Sequence, residues 1–352
     1  MLDKVYTAQG SPNIALVKYW GKRNERLILP QNSSISLTLS SDILNTTTSA
    51  MLSKKIKKDM FYLDGKLQNL EDKEIRERFG MVDSMRDLAK VKENILIVSK
   101  NNFPAGSGMA SSASGIATLA YVLNGALGLD LNPRDLSIIA RQGSGSACRS
   151  IFGGLVVWHR GSRADGKDSY AEQEFDESYW PDLIDNIVVV SQEKKKVSSR
   201  AGMRQTVETN PLFRQRPPIA EGRVEELIYA YRQRNFDSMA ELIMADSNEM
   251  HALMLSTRPS IRYLNNNSFK IMDAIENLNE EAGGNVAAYT FDAGPNANII
   301  TLSKYKDQVF KALKPLQDSK DILYIKTSGV GEGPRMLDDS DSLIEQSRLS
   351  PK

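Results

Sequence analysis

The chain has 352 residues, 41% hydrophobic and 25% charged, which exceeds one small core and excludes the composition of a disordered protein. Lys and Arg number 45 against 44 Asp and Glu, so the overall charge does not favour DNA or another polyanion as a partner. We therefore expect about two folded domains in which any phosphate recognition is local.

The beginning of the chain shows strand patterns and then a charged helix. Val, Ile and Ala cluster in residues 5–17, and residues 34–39 alternate between polar and apolar side chains, which is typical of strands. Residues 72–92 carry dense charge with apolar positions at helical spacing, as in an amphipathic helix with a solvated face. Early β structure followed by an exposed helix is predicted.

Two loops of small residues follow. A strand pattern at 94–98 is broken by the loop 101–108, and an Ala-, Leu- and Ile-rich helix begins at 111–113. A helix at 133–141 leads into Gly143-Ser144-Gly145-Ser146, after which residues 153–158 resume strand character. The sequence thus predicts a strand, loop and helix unit followed by a second small-residue turn.

The second half is predicted as helices with short strands. Apolar positions at helical spacing run through residues 224–243, and a further helix is expected at 269–278. Short apolar strands are predicted at 187–190, 286–291 and 322–325. We expect an N-terminal domain with a phosphate loop at 1–185, a C-terminal α+β domain at 186–335 and a polar, frayed tail at 336–352.

The sequence offers few of the residues that several kinds of site or segment would need. The lone Cys148 cannot form an internal disulfide, and no charged-then-apolar leader opens the chain, so a cytoplasmic location is expected. The apolar stretch 115–131 contains Asn124 and several Gly and Ala, which favours a buried helix over a membrane span. His159 and His251 are the only histidines, without HExxH or paired CxxC, which argues against a zinc site or a Ser-His-Asp triad.

Two serine-rich segments could bind an anion. The glycine-rich loop before the helix at Ser111 could hold a phosphate on its backbone N–H groups, or be a tight turn with a serine cap; it is neither a Walker A nor a GxGxxG loop. The Arg149 guanidinium lies among serines and could bind a carboxylate or phosphate, or be structural. Cys148 is expected to pack rather than attack, because no nearby histidine could deprotonate it.

Two further segments could carry chemistry. Asp292 ends a strand pattern just before a turn, where it is either a base in a cleft or an Asx-type turn cap. Residues 18–23 cluster three cations with two aromatic side chains, which suits phosphate binding or a solvated strand end. Neither segment decides the function alone.

Together, four spaced motifs resemble the diphosphomevalonate decarboxylase family. They are Pro12-Asn13-Ile14-Ala15 with Lys18-Tyr19-Trp20-Gly21-Lys22-Arg23, Leu29-Pro30 and Asn32-Ser33-Ser34; Asn101-Asn102-Phe103-Pro104 with Gly108, Ala110-Ser111-Ser112-Ala113 and Gly115; residues 143–150 with Phe152-Gly153-Gly154; and residues 291–297. Weaker echoes, including residues 246–248, extend the resemblance over roughly residues 5–335. Their order and coverage argue against coincidence.

The resemblance implies an α+β, two-domain GHMP-kinase-like fold with the active site in the interdomain cleft. It implies that ATP with Mg²⁺ phosphorylates the 3-hydroxyl of mevalonate 5-diphosphate, after which phosphate and carbon dioxide leave to give isopentenyl diphosphate. The expected partner is a small phosphorylated mevalonate, not nucleic acid or a membrane, and a homodimer is the family expectation.

The resemblance also implies roles for particular residues. Asp292 would orient or deprotonate the 3-hydroxyl, Lys18 would stabilise the charged form of Asp292, and Arg149 would hold the substrate carboxylate. Tyr19, Lys22, Ser144 and Ser146, with Arg149, would contact the substrate. The nucleotide phosphates are assigned to Gly106, Ser107, Gly108, Ser111 and Ser112, with Ser198 and Ser199 closing over them. No protein metal ligands are predicted.

Two departures from the family pattern leave the substrate and the activity open. The family usually has Thr-Ala-Ala-Gly-Leu where this chain has Ala105-Gly106-Ser107-Gly108-Met109, and the usual acidic residue after Lys22-Arg23 is Asn24. The substrate could therefore be mevalonate 3,5-bisphosphate, decarboxylated without ATP, or 5-phosphomevalonate, giving isopentenyl phosphate. The same fold could also serve a mevalonate-type kinase or a catalytically silent ligand sensor.

Overall fold

The computed structural model describes residues 2–103, 111–193 and 195–344, without the side chain of Ser111. The strands are β1 (Val5–Gly10), β2 (Asn13–Val17), β3 (Lys22–Asn24), β4 (Leu29–Pro30), β5 (Ser34–Thr38), β6 (Thr46–Leu52), β7 (Met60–Leu63), β8 (Lys66–Leu67), β9 (Ile95–Asn101), β10 (Leu155–Trp158), β11 (Ala171–Phe175), β12 (Leu183–Val189), β13 (Ala287–Phe291), β14 (Ala297–Leu302), β15 (Tyr324–Gly329) and β16 (Arg335–Met336). The helices are α1 (Lys73–Ala89), α2 (Ser111–Ala126), α3 (Pro133–Gly143), α4 (Ser199–Thr209), α5 (Arg216–Arg232), α6 (Phe236–Ser256), α7 (Asn266–Ala282) and α8 (Lys306–Asp318), with a 3₁₀ helix at Gly145–Ile151.

The first lobe is built on two mainly antiparallel sheets. One has the strand order β16-β1-β6-β9-β7-β8 and the other β11-β10-β5-β2, while β3 and β4 form a hairpin. The helix α2, rich in Ala and Leu, lies against β1 and β6, and it approaches closely because Gly10 has no side chain. A Cβ at Gly10 would lie 2.5 Å from Thr118 Oγ1.

The turn that carries Arg149 follows a well-capped helix. α3 begins at Asn132, whose side chain accepts a hydrogen bond from the Asp135 N–H, and Pro133 occupies its first turn. After Gly143 the chain tightens into the 3₁₀ helix Gly145–Ile151. The sequence signals of a helix start and a small-residue stop therefore place Arg149 against the sheet β11-β10-β5-β2.

The second lobe is one sheet with helices on both faces. Its strand order is β13-β14-β12-β15, with all pairs antiparallel. One face packs on α7 and α8. The inner face, which includes Ile187, Ala288 and Ile300, shares a hydrophobic core with residues of β2, β5, α5 and α6. This shared core holds the ends of β2 and β13 beside each other.

Most predicted elements are present, with three differences at their ends. The strand predicted at 322–325 lies at Tyr324–Gly329, because Ile322 is buried ahead of the strand. The helix predicted through 115–131 ends at Ala126. The predicted domain boundary at 185 falls inside β12.

The prediction of a frayed tail is wrong for its first part. β16 pairs with the edge of β1, the Leu343 N–H donates to Ser49 Oγ, and Ile344 is buried. The edge strand offers unpaired backbone groups, and an apolar cluster with Met51 and Val98 takes up Ile344. In the described residues, no helix combines the length and the apolar character needed to span a membrane.

Candidate active site

The centre of the site is an ion pair between the two lobes. Lys18 follows β2 and Asp292 follows β13, and Lys18 Nζ lies 2.7 Å from Asp292 Oδ1. The Lys18 side chain is 1% exposed, whereas that of Asp292 is 33% exposed. A buried ammonium therefore holds a carboxylate that solvent or a ligand can reach.

The backbone of Lys18 is fixed from the second lobe. Its N–H donates to Asp246 Oδ2 at 2.7 Å, and its carbonyl accepts from Asn32 and Arg216. Asp246 is fully buried and also accepts from Arg216 and Arg223. Sequence reasoning noticed residue 246 only as a weak family echo and missed both arginines, because their positions give no local signal of contact with Lys18.

Arg149 is a buried cation held by neutral groups. Its Nε donates to Asn13 Oδ1 at 3.2 Å and to Ser36 Oγ at 3.0 Å, and its Nη1 donates to Ser34 Oγ at 2.7 Å. Within the described ranges, no carboxylate lies within ion-pair distance of it. Burial lowers its pKa, but a guanidinium stays protonated in proteins. The positive charge is therefore available to an anionic ligand.

One of the predicted substrate residues, Tyr19, belongs to a packed aromatic pair. The ring of Tyr19 meets Trp158 edge-on with centroids 4.6 Å apart, above Gly145, where a Cβ would lie 2.7 Å from Tyr19 Cε1. The Tyr19 hydroxyl has no hydrogen-bond partner among the described residues. Lys22 is paired with Glu25 at 2.6 Å.

The serines of the central motif differ from those of α4. The Ser144 and Ser146 side chains form no hydrogen bonds with the described part of the chain, so both hydroxyls are available. Ser198 instead caps α4 by accepting from the Ala201 N–H, and Ser199 accepts from Lys195 Nζ at 2.9 Å. The ammonium of Lys195 also contacts the Ala293 carbonyl, beside Asp292.

The predicted nucleotide loop is described only at its end. Gly106, Ser107 and Gly108 lie outside the described residues, and Ser111 is the first residue of α2. One turn after Ser112, Ile116 packs against Gly143, whose carbonyl accepts from Arg200 of α4. The N-terminal turns of α2 therefore lie beside the cleft between the lobes.

A cluster of cations that the sequence did not reveal lines the same region. Arg200 donates to Glu77 at 2.7 Å and to the Gly143 carbonyl at 2.7 Å, which joins α4 to α1 and α3. Burial lowers the pKa of Lys22, and the nearby Arg200 and Arg204 add to this effect. Burial also lowers the pKa of Arg78, with Arg200 again adding to it. The concentration of positive charge favours a polyanionic ligand.

Two other titratable side chains near the site are buried. His251 packs against Phe291, and burial, with a further effect of Lys18, lowers its pKa to about 4. Burial raises the pKa of Cys148 to about 12, and the thiol packs inside the fold and donates to the Gly145 carbonyl, as the sequence predicted. Asn24 stands where the family usually has an acidic residue. Its side chain accepts a hydrogen bond from the Leu27 N–H and so caps the β3–β4 turn.

Comparison with known proteins identifies the family of the chain. A family model described as the diphosphomevalonate decarboxylase-like N-terminal domain matches residues 10–171, and one described as the mevalonate 5-diphosphate decarboxylase C-terminal domain matches residues 186–327. The human diphosphomevalonate decarboxylase is 45% identical over 311 residues, covering 84% of this chain and 76% of the human protein. The Schizosaccharomyces pombe diphosphomevalonate decarboxylase is 40% identical over 384 residues, covering 99% and 98% of the two chains.

Solved structures give the same result. A crystal structure of mevalonate 5-diphosphate decarboxylase matches with a TM-score of 0.87 at 34% identity, covering 97% of this chain and 99% of that chain. A complex with MVAPP, AMPPCP and magnesium matches with a TM-score of 0.85 at 33% identity, covering 95% and 99%.

The fold is thus of the GHMP-kinase type, with two mixed α and β lobes joined by the ion pair of Lys18 and Asp292. Both family models and the close relatives over most of the sequence show that the chain belongs to the diphosphomevalonate decarboxylase family. It is accordingly a carboxy-lyase, as the sequence motifs predicted.

Proposed function

We propose that Lys18, Asp292 and Arg149 carry out an ATP-dependent decarboxylation of mevalonate 5-diphosphate in the cleft between residues 1–185 and 186–335. The observation that supports this most is the pair of Lys18 and Asp292, joined at 2.7 Å across the lobes, with the carboxylate partly exposed. Arg149 lies close enough to Asp292 for the carboxylate to influence its pKa. A base and an anion-binding cation therefore face the same space.

Asp292 is the proposed base for the 3-hydroxyl of the substrate. It accepts the hydroxyl proton, or orients that proton, as the oxygen attacks phosphorus. The Lys18 ammonium, 2.7 Å from the Asp292 carboxylate, orients that carboxylate and stabilises negative charge on the substrate oxygen. ATP, bound with Mg²⁺, supplies the phosphoryl group that converts the tertiary hydroxyl into a leaving group.

Arg149 is proposed to hold the substrate carboxylate during carbon dioxide loss. The C1–C2 bond breaks, its electron pair forms the C2=C3 double bond, and the 3-phosphate leaves with the C3–O pair. The Asn13, Ser34 and Ser36 contacts fix the guanidinium plane, so the carboxylate is held in one orientation. Tyr19, Ser144 and Ser146 would contact the same substrate.

The two polyphosphate groups are assigned to the cations and to the start of α2. Lys22, Arg78, Arg200 and Arg204 would take the 5-diphosphate, because these four cations lie near one another and a diphosphate carries several negative charges. The N-terminus of α2, with Ser111 and Ser112, would take nucleotide phosphates, and Ser198 and Ser199 would lie nearby. In the described part of the chain, no three His, Cys, Asp or Glu side chains could together hold a metal, so Mg²⁺ would be carried largely by phosphate oxygens.

The test supplies the purified protein with mevalonate 5-diphosphate, mevalonate 5-phosphate and mevalonate 3,5-bisphosphate in turn, each with and without ATP and Mg²⁺. Carbon dioxide and ADP are counted. One ADP per carbon dioxide on the 5-diphosphate supports the proposal. Efficient decarboxylation of the 3,5-bisphosphate without nucleotide contradicts it, and ADP release without carbon dioxide indicates a kinase.

The assembly proposed here rests on the family resemblance, and the location on the cysteine content of the sequence, in which Cys148 stands alone. We propose a cytoplasmic homodimer. Light scattering on the purified protein tests the dimer, and fractionation of the source cells tests the location.

A further inference from the structure

A row of polar side chains crosses the inner face of the second sheet and ends at Asp292, with Asp185 and Thr290 buried and Asn298 and Asp292 partly exposed. Thr290 lies opposite Asn298 and Asn298 opposite Ile187, so the three share one face. Asp185 and Asp292 lie on that same face, each two residues from a member of this set. The row therefore runs from β12 through β14 and β13 to the proposed catalytic carboxylate.

Asp185 is the unusual member of the row. It is 2% exposed, its Oδ2 accepts from Asn298 Nδ2 at 2.6 Å, and no cation in the described ranges is paired with it. Its Oδ1 and the Thr290 hydroxyl are buried without hydrogen-bond partners among the described residues. A carboxylate in such a place is costly, because neither an ion pair nor a full set of donors compensates its lost hydration.

Two charged groups on the elements around Asp185 influence its pKa, and both belong to the proposed catalytic pair. Lys18 after β2 and Asp292 after β13 both act on its charge. The pKa of Asp185 shows no effect of Lys326 in β15, of Asp246 and His251 in α6 or of the arginines in α5. Asp246 is instead paired with Arg216 and Arg223. Burial, the largest effect, raises the pKa of Asp185 to about 7.

We propose that Asp185 is a positioning residue of the active site. When Asp185 is neutral, the Lys18 ammonium interacts with Asp292 alone, and when Asp185 is ionised, its carboxylate competes with Asp292 for that ammonium. Ionised Asp185 adds a second negative charge beside the pair, which weakens the field that Lys18 applies to the developing oxyanion. This inference rests on the proposed function, because it acts through Lys18 and Asp292.

The kinetic test compares kcat/KM at about pH 6 and about pH 8.5 in the wild type, Asp185→Asn and Asn298→Leu. Between these two pH values, kcat/KM of the wild type is expected to fall about three- to tenfold more than that of Asp185→Asn, whose side chain cannot ionise. Asn298→Leu removes the donor that favours the ionised form, so the loss should move to higher pH. The exposed Asp182, just before β12, gives the matched control Asp182→Asn, which should follow the wild type.

Identical pH profiles for the wild type and Asp185→Asn overturn the inference. A merely structural role would change activity by the same factor at both pH values. An independent test uses infrared spectroscopy of the ligand-free protein. The C=O band of a protonated carboxylic acid should disappear from the wild type as pH rises through about 7, and it should be absent from Asp185→Asn at every pH. Absence of the band in the wild type also overturns it. A wild type without turnover on mevalonate 5-diphosphate instead refutes the proposed function, and the infrared result still stands by itself.

Discussion

Replacing Asp185 by Asn should make the stability of the protein less dependent on pH. Burial raises the pKa of Asp185 from 3.8 to about 7, so the folded chain binds this proton more tightly than the unfolded chain. Between these two values the folded state loses stability as pH rises, and the loss is complete above the folded pKa. Asn has the same shape and carries no charge, so it lacks this dependence.

The size of the effect follows from the two pKa values. Each pKa unit corresponds to about 1.4 kcal/mol, which gives about 4 kcal/mol for the whole range. About 2 to 3 kcal/mol of this falls between about pH 5 and about pH 8, since part of the loss precedes pH 5. For a chain of this size that corresponds to a Tm change of roughly 3 °C.

The assay is thermal unfolding followed by circular dichroism at the two pH values, with one scan rate for all variants. Raising the pH should lower the wild-type Tm by roughly 3 °C more than that of Asp185→Asn. The control Asp182→Asn, the same substitution at an exposed site three residues earlier, should follow the wild type. Equal Tm changes in the wild type and Asp185→Asn would refute the reasoning.

Three further substitutions test the proposed catalytic roles. Asp292→Asn should cut kcat by about a hundredfold or more while substrate affinity stays largely intact, because the amide keeps the size but loses the basic oxygen; near wild-type turnover at saturating ligands would mean that it is not the base. Arg149→Lys should raise KM and lower kcat, because Lys keeps the charge but loses the planar fork, and normal steady-state kinetics would make the residue structural. Gly145→Ala places a Cβ 2.7 Å from the Tyr19 ring and should raise KM several-fold, whereas an unchanged KM would argue against a Tyr19 contact with the substrate.

Local signals in the sequence predicted most of the secondary structure. Strand alternation, helix periodicity and caps act over a few residues, which is why α3, with Asn132 and Pro133 at its start, was predicted nearly to its ends. The family motifs added Lys18, Arg149 and Asp292, although their roles remain proposals. The prediction of a frayed tail was wrong for its first part because this segment is ordered by pairing with β1. A polar composition does not indicate such pairing.

What the sequence alone determined is the set of local elements and the family, because the elements depend on residues close together in the chain and the family on the order of short motifs along it. Only the tertiary structure decided which charges meet. Lys18 and Asp292 are 274 positions apart, and Arg200 reaches Glu77 over 123. The environment of Asp185 is likewise invisible in its neighbours along the chain, because its burial comes from the packing of the two lobes. Desolvation and charge pairing depend on distances in space, and the fold alone fixes those distances.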